Sequence, residues 1–292
     1  MSNIQNLFIL LIMTKLEQVH WFPGHMNKAL KEIEGKVKLV DVVIELLDAR
    51  APFSSINRDF NNLVQNKKKL IVLSKIDLAD QKRTNELKEK LSHEFDMILA
   101  LDLTKPSSEK AIAQAVKTLG KEKLMKDISK GLKPQPIRAM IIGVPNVGKS
   151  SLINRLAKRN AAGVQNKPGY TRGEQWIKVN NDFLLLDTPG VLPMNYDDKE
   201  KSMKLAILGA IRQDIVPLSE LCDALLSLLN KKYPDALIER FGIEDLSNRK
   251  DVLEQIALRR GLLKNNEPDI DKAEILLLNE FKNGKVGNFT LD

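Results

Sequence analysis

Residues 139–158 read AMIIGVPNVGKSSLINRLAK. The apolar run Ala139–Ile142 leads into GVPNVGKS, Gly143–Ser150, which fits G-x-x-x-x-G-K-[ST], and a helix-like SLINRLAK follows. Strand, glycine loop and helix N-terminus in that order aim backbone N–H groups and the positive end of the helix dipole at phosphate oxygens. The loop offers Asn146, Val147, Gly148, Lys149, Ser150 and Ser151 to a phosphate chain. Lys149 is expected to reach the β and γ phosphates as a point charge, with the Ser150 hydroxyl a ligand of Mg²⁺.

Downstream, LLLDTPG (184–190) is an apolar strand ending in D-x-x-G. Asp187 is expected to be the Mg²⁺-side carboxylate, and the Gly190 N–H to meet the γ-phosphate. Between the two motifs, KPGYTRG (167–173) offers Thr171 as a switch threonine that ligates Mg²⁺ only while a γ-phosphate is present. On that segment alone, a Pro-Gly turn with an incidental threonine is an equal reading.

Guanine selection needs a carboxylate that accepts from two base N–H groups, which adenine cannot supply. In guanine-nucleotide proteins this is N-K-x-D at the end of a strand. No such motif follows Gly190; NKKY at 230–233 has Tyr233 where the Asp must stand. Upstream, LIVLSKID (70–77) supplies Ser74, Lys75 and Asp77. Asp77 would read the base edge and the Lys75 stem would cover the ring. MILALDL (97–103) would supply the backbone that closes over the base, around Asp102 and Leu103. The base-reading motif thus precedes the phosphate loop, an order that a circular permutation tolerates because the sheet is kept and only the termini move.

Apolar runs at 40–49, 70–75, 97–103, 138–144 and 182–190 alternate with helical stretches. This predicts a mostly parallel α/β sheet with helices on both faces. The KPQP connector at 133–136 follows a Lys-rich helical stretch from Ile112 to Lys130. Beyond about residue 200 the apolar residues fall at helical spacing (Leu218, Leu221, Leu225, Leu228, Leu229), with Pro217 placed like a first-turn proline and Gly242 and Gly261 like helix stops. The expected layout is an N-terminal extension at 1–19, a permuted GTPase domain at 20–198 and a smaller all-α domain at 199–292. The extension carries an apolar run, Leu7–Met13, too short to span a bilayer, and Met13 is a second plausible start, so residues 1–12 are read as a dispensable or mis-assigned extension, with a short added strand as the alternative.

The net charge of +8 is uneven. Residues 104–178 carry 16 Lys+Arg against 4 Asp+Glu, a local +12, and residues 200–292 carry 14 against 16. Attraction to a polyanion should therefore come mainly from the nucleotide half. The lone Cys222 excludes an intramolecular disulfide, and the composition is that of a cytoplasmic protein. No anchor or lipidation motif is visible, so no membrane partner is expected.

The permuted order, with VHWFPGHMNKA (19–29), LLDARAP (46–52), GVPNVGKSSLINRL, KPGYT and LLDTPG, resembles the YlqF/RbgA family of circularly permuted bacterial ribosome-assembly GTPases. The resemblance covers nearly the whole chain. It implies GTP and GDP as ligands, GTP hydrolysis stimulated by rRNA, a precursor of the large ribosomal subunit as partner in late maturation, and a C-terminal helical domain that helps to bind rRNA. The free protein is expected to be monomeric. Ser74 departs from the family's Asn, so a contact bracing the base pocket should be weakened or replaced; Ala100, Leu101 and Asp102 match the base-closing loop poorly. Val191 occupies the place of the water-positioning Gln that many GTPases carry after D-x-x-G. The resemblance offers His25 of WFPGHM as the catalytic group, against a structural role in a Pro23-Gly24 turn. It also offers K⁺ held with Asn146, or order supplied in trans by rRNA or a ribosomal protein. A second class of function is a nucleotide-gated RNA-binding module with a negligible catalytic role.

Overall fold

The computed structural model describes residues 23–158, 176–186, 188, 190–191, 198–211, 216–243 and 248–292, leaving out the side chains of residues 23–27 and of Lys158. Two compact units partition the chain, one ending at Asn195 and one beginning at Tyr196, with Asp292 counted in the first.

The first unit is built on β1 (Val42–Asp48), β2 (Lys68–Ser74), β3 (Met97–Ala100), β4 (Ile137–Gly143), β5 (Trp176–Lys178) and β6 (Phe183–Leu186), in the spatial order β3-β2-β1-β4-β6-β5. Neighbours are parallel except β5 and β6. The central strands read as near-continuous apolar runs because both faces are covered, and β1 is buried along its whole length. Side chains alternate between the faces. Val43 of β1, with Met140 and Ile142 of β4, packs under Leu30, Ile33 and Val37 of α1 (Pro23–Val37) and Phe60 of α3 (Arg58–Leu63). Farther along, Leu47, Ile71 and Leu73 meet Leu91 of α4 (Gln81–Ser92), with Phe53 of the short α2 (Pro52–Ser55) alongside. On the opposite face α5 (Pro106–Leu119) crosses β2, β3, β4 and β6.

α6 (Lys121–Ser129) follows α5 after a break at Gly120, so the predicted single stretch is two helices. A Cβ on Gly120 would stand 2.4 Å from Ile137 Cδ1, so a larger residue at this turn would have to displace the Ile137 side chain at the start of β4. The strand order decides where a ligand belongs. From the β1–β4 pair the chain winds outward through β2 and β3 on one side and β6 and β5 on the other, and crevices in open α/β sheets form at the C-terminal ends of strands where the winding reverses. The register pairs Leu46 with Gly143, bringing the ends of β1 and β4 together.

In the second unit, α8 (Lys199–Ile207), α9 (Leu218–Lys232), α10 (Ala236–Phe241), α11 (Arg249–Arg259) and α12 (Ile270–Lys282) bury Leu205, Leu221, Cys222, Leu225, Leu229, Leu253, Ile256 and Leu277. Phe281 stacks on Phe289 at 5.5 Å between ring centroids, and Tyr233 meets Phe289 edge-on at 4.8 Å. Pro217 is the N-cap of α9 rather than a first-turn residue, and Gly242 closes α10 at φ +70°. Among its described residues the unit is helical but for a two-residue ribbon, β7 (Leu263–Lys264) against β8 (Glu267–Pro268), turned by Asn265 and Asn266 at positive φ.

Candidate nucleotide-binding site

β4 ends in the glycine loop and α7 (Lys149–Lys158) begins within it. Gly143 has φ +149°, and a Cβ there would lie 2.6 Å from the Leu46 carbonyl oxygen, so glycine is required for β4 to run this close to β1. Asn146 (φ +57°) and Gly148 (φ +109°) carry the loop through the left-handed region. Lys149 is buried and its Nζ donates to the carbonyls of Gly143 (2.9 Å) and Val144 (2.8 Å) of its own loop. Ser150 and Ser151 stand exposed in the first turn of α7.

A cavity of about 540 Å³ opens over this loop, lined by Glu32, Pro145, Asn146, Lys149, Ser150, Thr188 and Gly190. A Cβ on Gly190 would come within 2.9 Å of Lys149 Nζ and 3.1 Å of Pro145 Cα, so the D-x-x-G glycine closes against the phosphate loop. Thr188 is tied by its hydroxyl to the Ile141 carbonyl. Val191 is buried among Leu30, Ile33 and Val37; its N–H donates to Gly143 O (3.3 Å) and its carbonyl accepts from Asn57 Nδ2 (3.4 Å).

The upstream motif arrives from β2. The Ser74 hydroxyl is shared between the carbonyls of Leu47 (3.0 Å) and Val147 (2.8 Å), so a shorter side chain than Asn still ties the end of β2 to the phosphate loop. Lys75 adopts the left-handed conformation, φ 58° and ψ 35°, and its Nζ donates to Asn146 O (2.9 Å) and Asp48 Oδ2 (2.9 Å). Asp77 lies exposed in the 3-10 turn Ile76–Leu78 and makes no polar contact among the described residues. Leu101 continues the β3 ladder through its N–H to Leu73 O (2.9 Å). The Asp102 carboxylate turns inward, accepting from the Thr104 N–H (2.8 Å) and hydroxyl (2.6 Å); these bonds, opposed by partial desolvation and helped by Lys105, lower its pKa. It is thereby committed to the start of α5, and Leu103 O is held by Arg155 Nη1 at 3.0 Å. The Asp102 carboxylate is therefore not free to read a base edge.

Asp48, which sequence motifs did not single out for the site, holds Lys75, which in turn bonds the Asn146 carbonyl of the phosphate loop. Burial opposes its ionisation, but the Arg50 guanidinium, bound at 2.9 and 2.8 Å, and Lys75 outweigh that and hold its carboxyl far below the ordinary 3.8. The signal was present as the acid ending the LLDARAP strand. Glu32 and Thr188 were also unremarked. Thr171 and Asp187 lie outside the described residues. His25 falls in the first turn of α1, which begins at Pro23, so the Pro23-Gly24 pair starts a helix; its side chain is likewise outside the described residues.

Residues 138–259 match the family described as 50S ribosome-binding GTPase. The match begins at β4, leaving the Ser74–Asp77 motif upstream of it. Over 276 residues the chain is 40% identical to the ribosome biogenesis GTPase A of Bacillus cereus, covering 94% of this chain and 93% of that one. It is 31% identical to the Thermotoga maritima protein of the same name, over 93% of each chain. The chain belongs to the ribosome biogenesis GTPase A family. GNP-bound YlqF from T. maritima superposes with a TM-score of 0.64 at 27% identity, over 91% of this chain and 97% of that one. Membership of the ribosome biogenesis GTPase A family makes the chain a GTPase with a permuted P-loop domain and favours enzymatic turnover over the binding-module reading. Among the described residues no helix is long and apolar enough to cross a membrane.

Proposed function

We propose that the protein binds GTP in the cavity above the phosphate loop and hydrolyses it while assisting late maturation of the large ribosomal subunit in the cytoplasm. The observation that carries this reading is the pair of contacts that Ser74 and Lys75 make to Val147 and Asn146, more than seventy positions away in sequence. They set a guanine-reading turn beside a phosphate-binding loop. Asp77 then accepts from the two N–H groups on the guanine edge, the Lys75 stem covers the ring, and the backbone at Asp102–Leu103 closes over it. The loop amides of Asn146–Ser151 and Lys149 hold the phosphates once Lys149 exchanges its carbonyl partners for phosphate oxygens.

Mg²⁺ would be held by Ser150, Thr171 and Asp187, a set of hard oxygen donors, of which Ser150 is exposed to the cavity. When bound, the metal neutralises charge developing on the β and γ oxygens. Thr171 binds only with a γ-phosphate present. The catalytic group that Val191 cannot supply comes from His25, with K⁺ at Asn146 or ordering by rRNA as the other sources. The domain layout of 1–19, 20–198 and 199–292 fits the partition into two units near residue 196. The helical domain reads rRNA shape, and the basic span 104–178 supplies most of the attraction to it. The free chain is a monomer.

Two substitutions test the site. Lys149→Ala should remove measurable binding of fluorescent GTP and GDP analogues. Asp77→Asn exchanges an acceptor for a donor, which pairs with the 2-oxo group of xanthine, so affinity should move from guanine to xanthine nucleotides by at least about a hundredfold. Retention of guanine preference in Asp77→Asn would refute the assignment of the base-reading turn. Co-sedimentation with large-subunit precursors in a GTP analogue but not in GDP tests the partner.

A further inference from the structure

Helix α1 brings to the phosphate cavity a group that the nucleotide motifs leave unused. Glu32 lines that cavity with Asn146, Lys149, Ser150, Thr188 and Gly190. Its helix neighbours explain the placement. Leu30 and Ile33 are buried in the same cluster as Val191, which seats this turn of α1 over the residue that follows Gly190. The Glu32 side chain keeps 46% of its surface exposed and pairs one turn on with Lys36.

A carboxylate at the edge of a triphosphate site is repelled by the ligand's charge unless a cation or a proton-bearing group lies between them. In GTPases with a glutamine after D-x-x-G, the group that needs holding at this place is the attacking water. Here the corresponding Val191 is 1% exposed and has no polar side-chain atom. Among the other described lining residues, Lys149 carries no acceptor, Asn146, Thr188 and Ser150 offer neutral oxygens only, and Ser150 stands in the metal-ligand position. Glu32 is the one anionic acceptor of the set.

We infer that Glu32, beside the catalytic group proposed above, holds the attacking water in line with the γ-phosphate, an inference that rests on the cavity being the triphosphate site. The water oxygen forms its bond to the γ-phosphorus as the bond from that phosphorus to the β–γ bridging oxygen breaks. The electron pair stays on GDP, and both water protons leave with inorganic phosphate. Glu32 accepts a hydrogen bond throughout and retains no proton.

The test is single-turnover hydrolysis of γ-labelled GTP by the full-length protein, with nucleotide dissociation constants measured in parallel. Glu32→Ala should slow hydrolysis by about a hundredfold or more while affinities move less than about threefold. Glu32→Gln, which keeps an oxygen able to accept from the water, should stay within about tenfold of the unsubstituted rate. Glu32→Lys should abolish turnover yet bind GTP as tightly or more tightly. Lys36→Ala, which removes the ion-pair partner and leaves the carboxylate, should hydrolyse normally. An unchanged rate in Glu32→Ala overturns the inference, as does a fall in affinity that matches the fall in rate. Equal losses in Lys36→Ala and Glu32→Ala would make the pair a brace of the helix. If Lys149→Ala still binds nucleotide, the triphosphate site itself is misplaced, and that outcome is distinct from any result at Glu32.

Discussion

Gly143 and Gly131 are both left-handed, yet they ask different things of the chain. At Gly131 (φ +70°) nothing lies within 4 Å of an added Cβ, whereas at Gly143 the same atom would meet the Leu46 carbonyl oxygen at 2.6 Å. Gly131→Ala should therefore cost about 1 kcal/mol of backbone strain alone. Gly143→Ala adds displacement of β1 from β4 and should cost about 2 kcal/mol or more, which thermal denaturation would record as a fall in Tm larger by several degrees. Cys222 makes a second case. Burial, reinforced by Glu274 and Asp223 and only partly offset by Arg249 and Lys282, pushes its thiol up to about 12. The folded protein should react negligibly with a disulfide reagent at pH 8 and fully in denaturant, because only the thiolate attacks. Residue-scale chemistry was legible where a motif fixes a spacing: Lys149 and Ser150 border the cavity, and Lys75 bonds the Asn146 carbonyl of the loop beneath it. It was illegible where an exposed helical position acquires meaning only from the element beneath it. Glu32 in KEIEGK reads as an ordinary solvated charge until Leu30 and Ile33 seat its turn above the glycine loop.

At the scale of elements, the end of β1 carries the heaviest electrostatic commitment in the nucleotide unit. Asp48 is buried with Arg50, and Lys75 reaches it from the end of β2. Its pKa in the folded protein lies below the ordinary 3.8, so the folded state releases this proton more readily than the unfolded one. The resulting stability is complete above about pH 4 and is lost as the pH falls below it. Asp48→Asn removes the buried charge that Arg50 and Lys75 share and should destabilise the unit by about 3 kcal/mol at neutral pH, with a flatter loss between pH 4 and pH 2 in equilibrium denaturation. Strand positions were readable because buried parallel strands are unbroken apolar runs. The edge strand Trp176–Lys178 was not, since three residues with one paired edge leave no periodicity to detect. The break between α5 and α6 was hidden because both sides keep helical spacing, and the close approach of Ile137 to Gly120 is a tertiary contact.

For the molecule as a whole, each unit carries its own apolar core, and the units divide near residue 196. A fragment ending at residue 195 should melt cooperatively and keep its affinity for fluorescent GDP within about tenfold, while losing co-sedimentation with ribosomal subunits. Loss of nucleotide binding by that fragment would show that the nucleotide unit depends on the helical one. Chain order was legible from motif order alone, since Ser74–Asp77 precedes Gly143 in sequence and still reaches it in space. The meaning of Val191 was not. Reading it as a glutamine's absence missed what the valine does, which is to anchor the residue after Gly190 beneath α1. That anchoring leaves the D-x-x-G glycine no slack. A shift of an ångström there cannot be absorbed by a floppy loop, because close-packed interiors transmit displacement. The amide protection of Ala29–Val37 thus becomes a gauge of phosphate occupancy, legible by hydrogen exchange in a helix that never needs to touch the nucleotide's base.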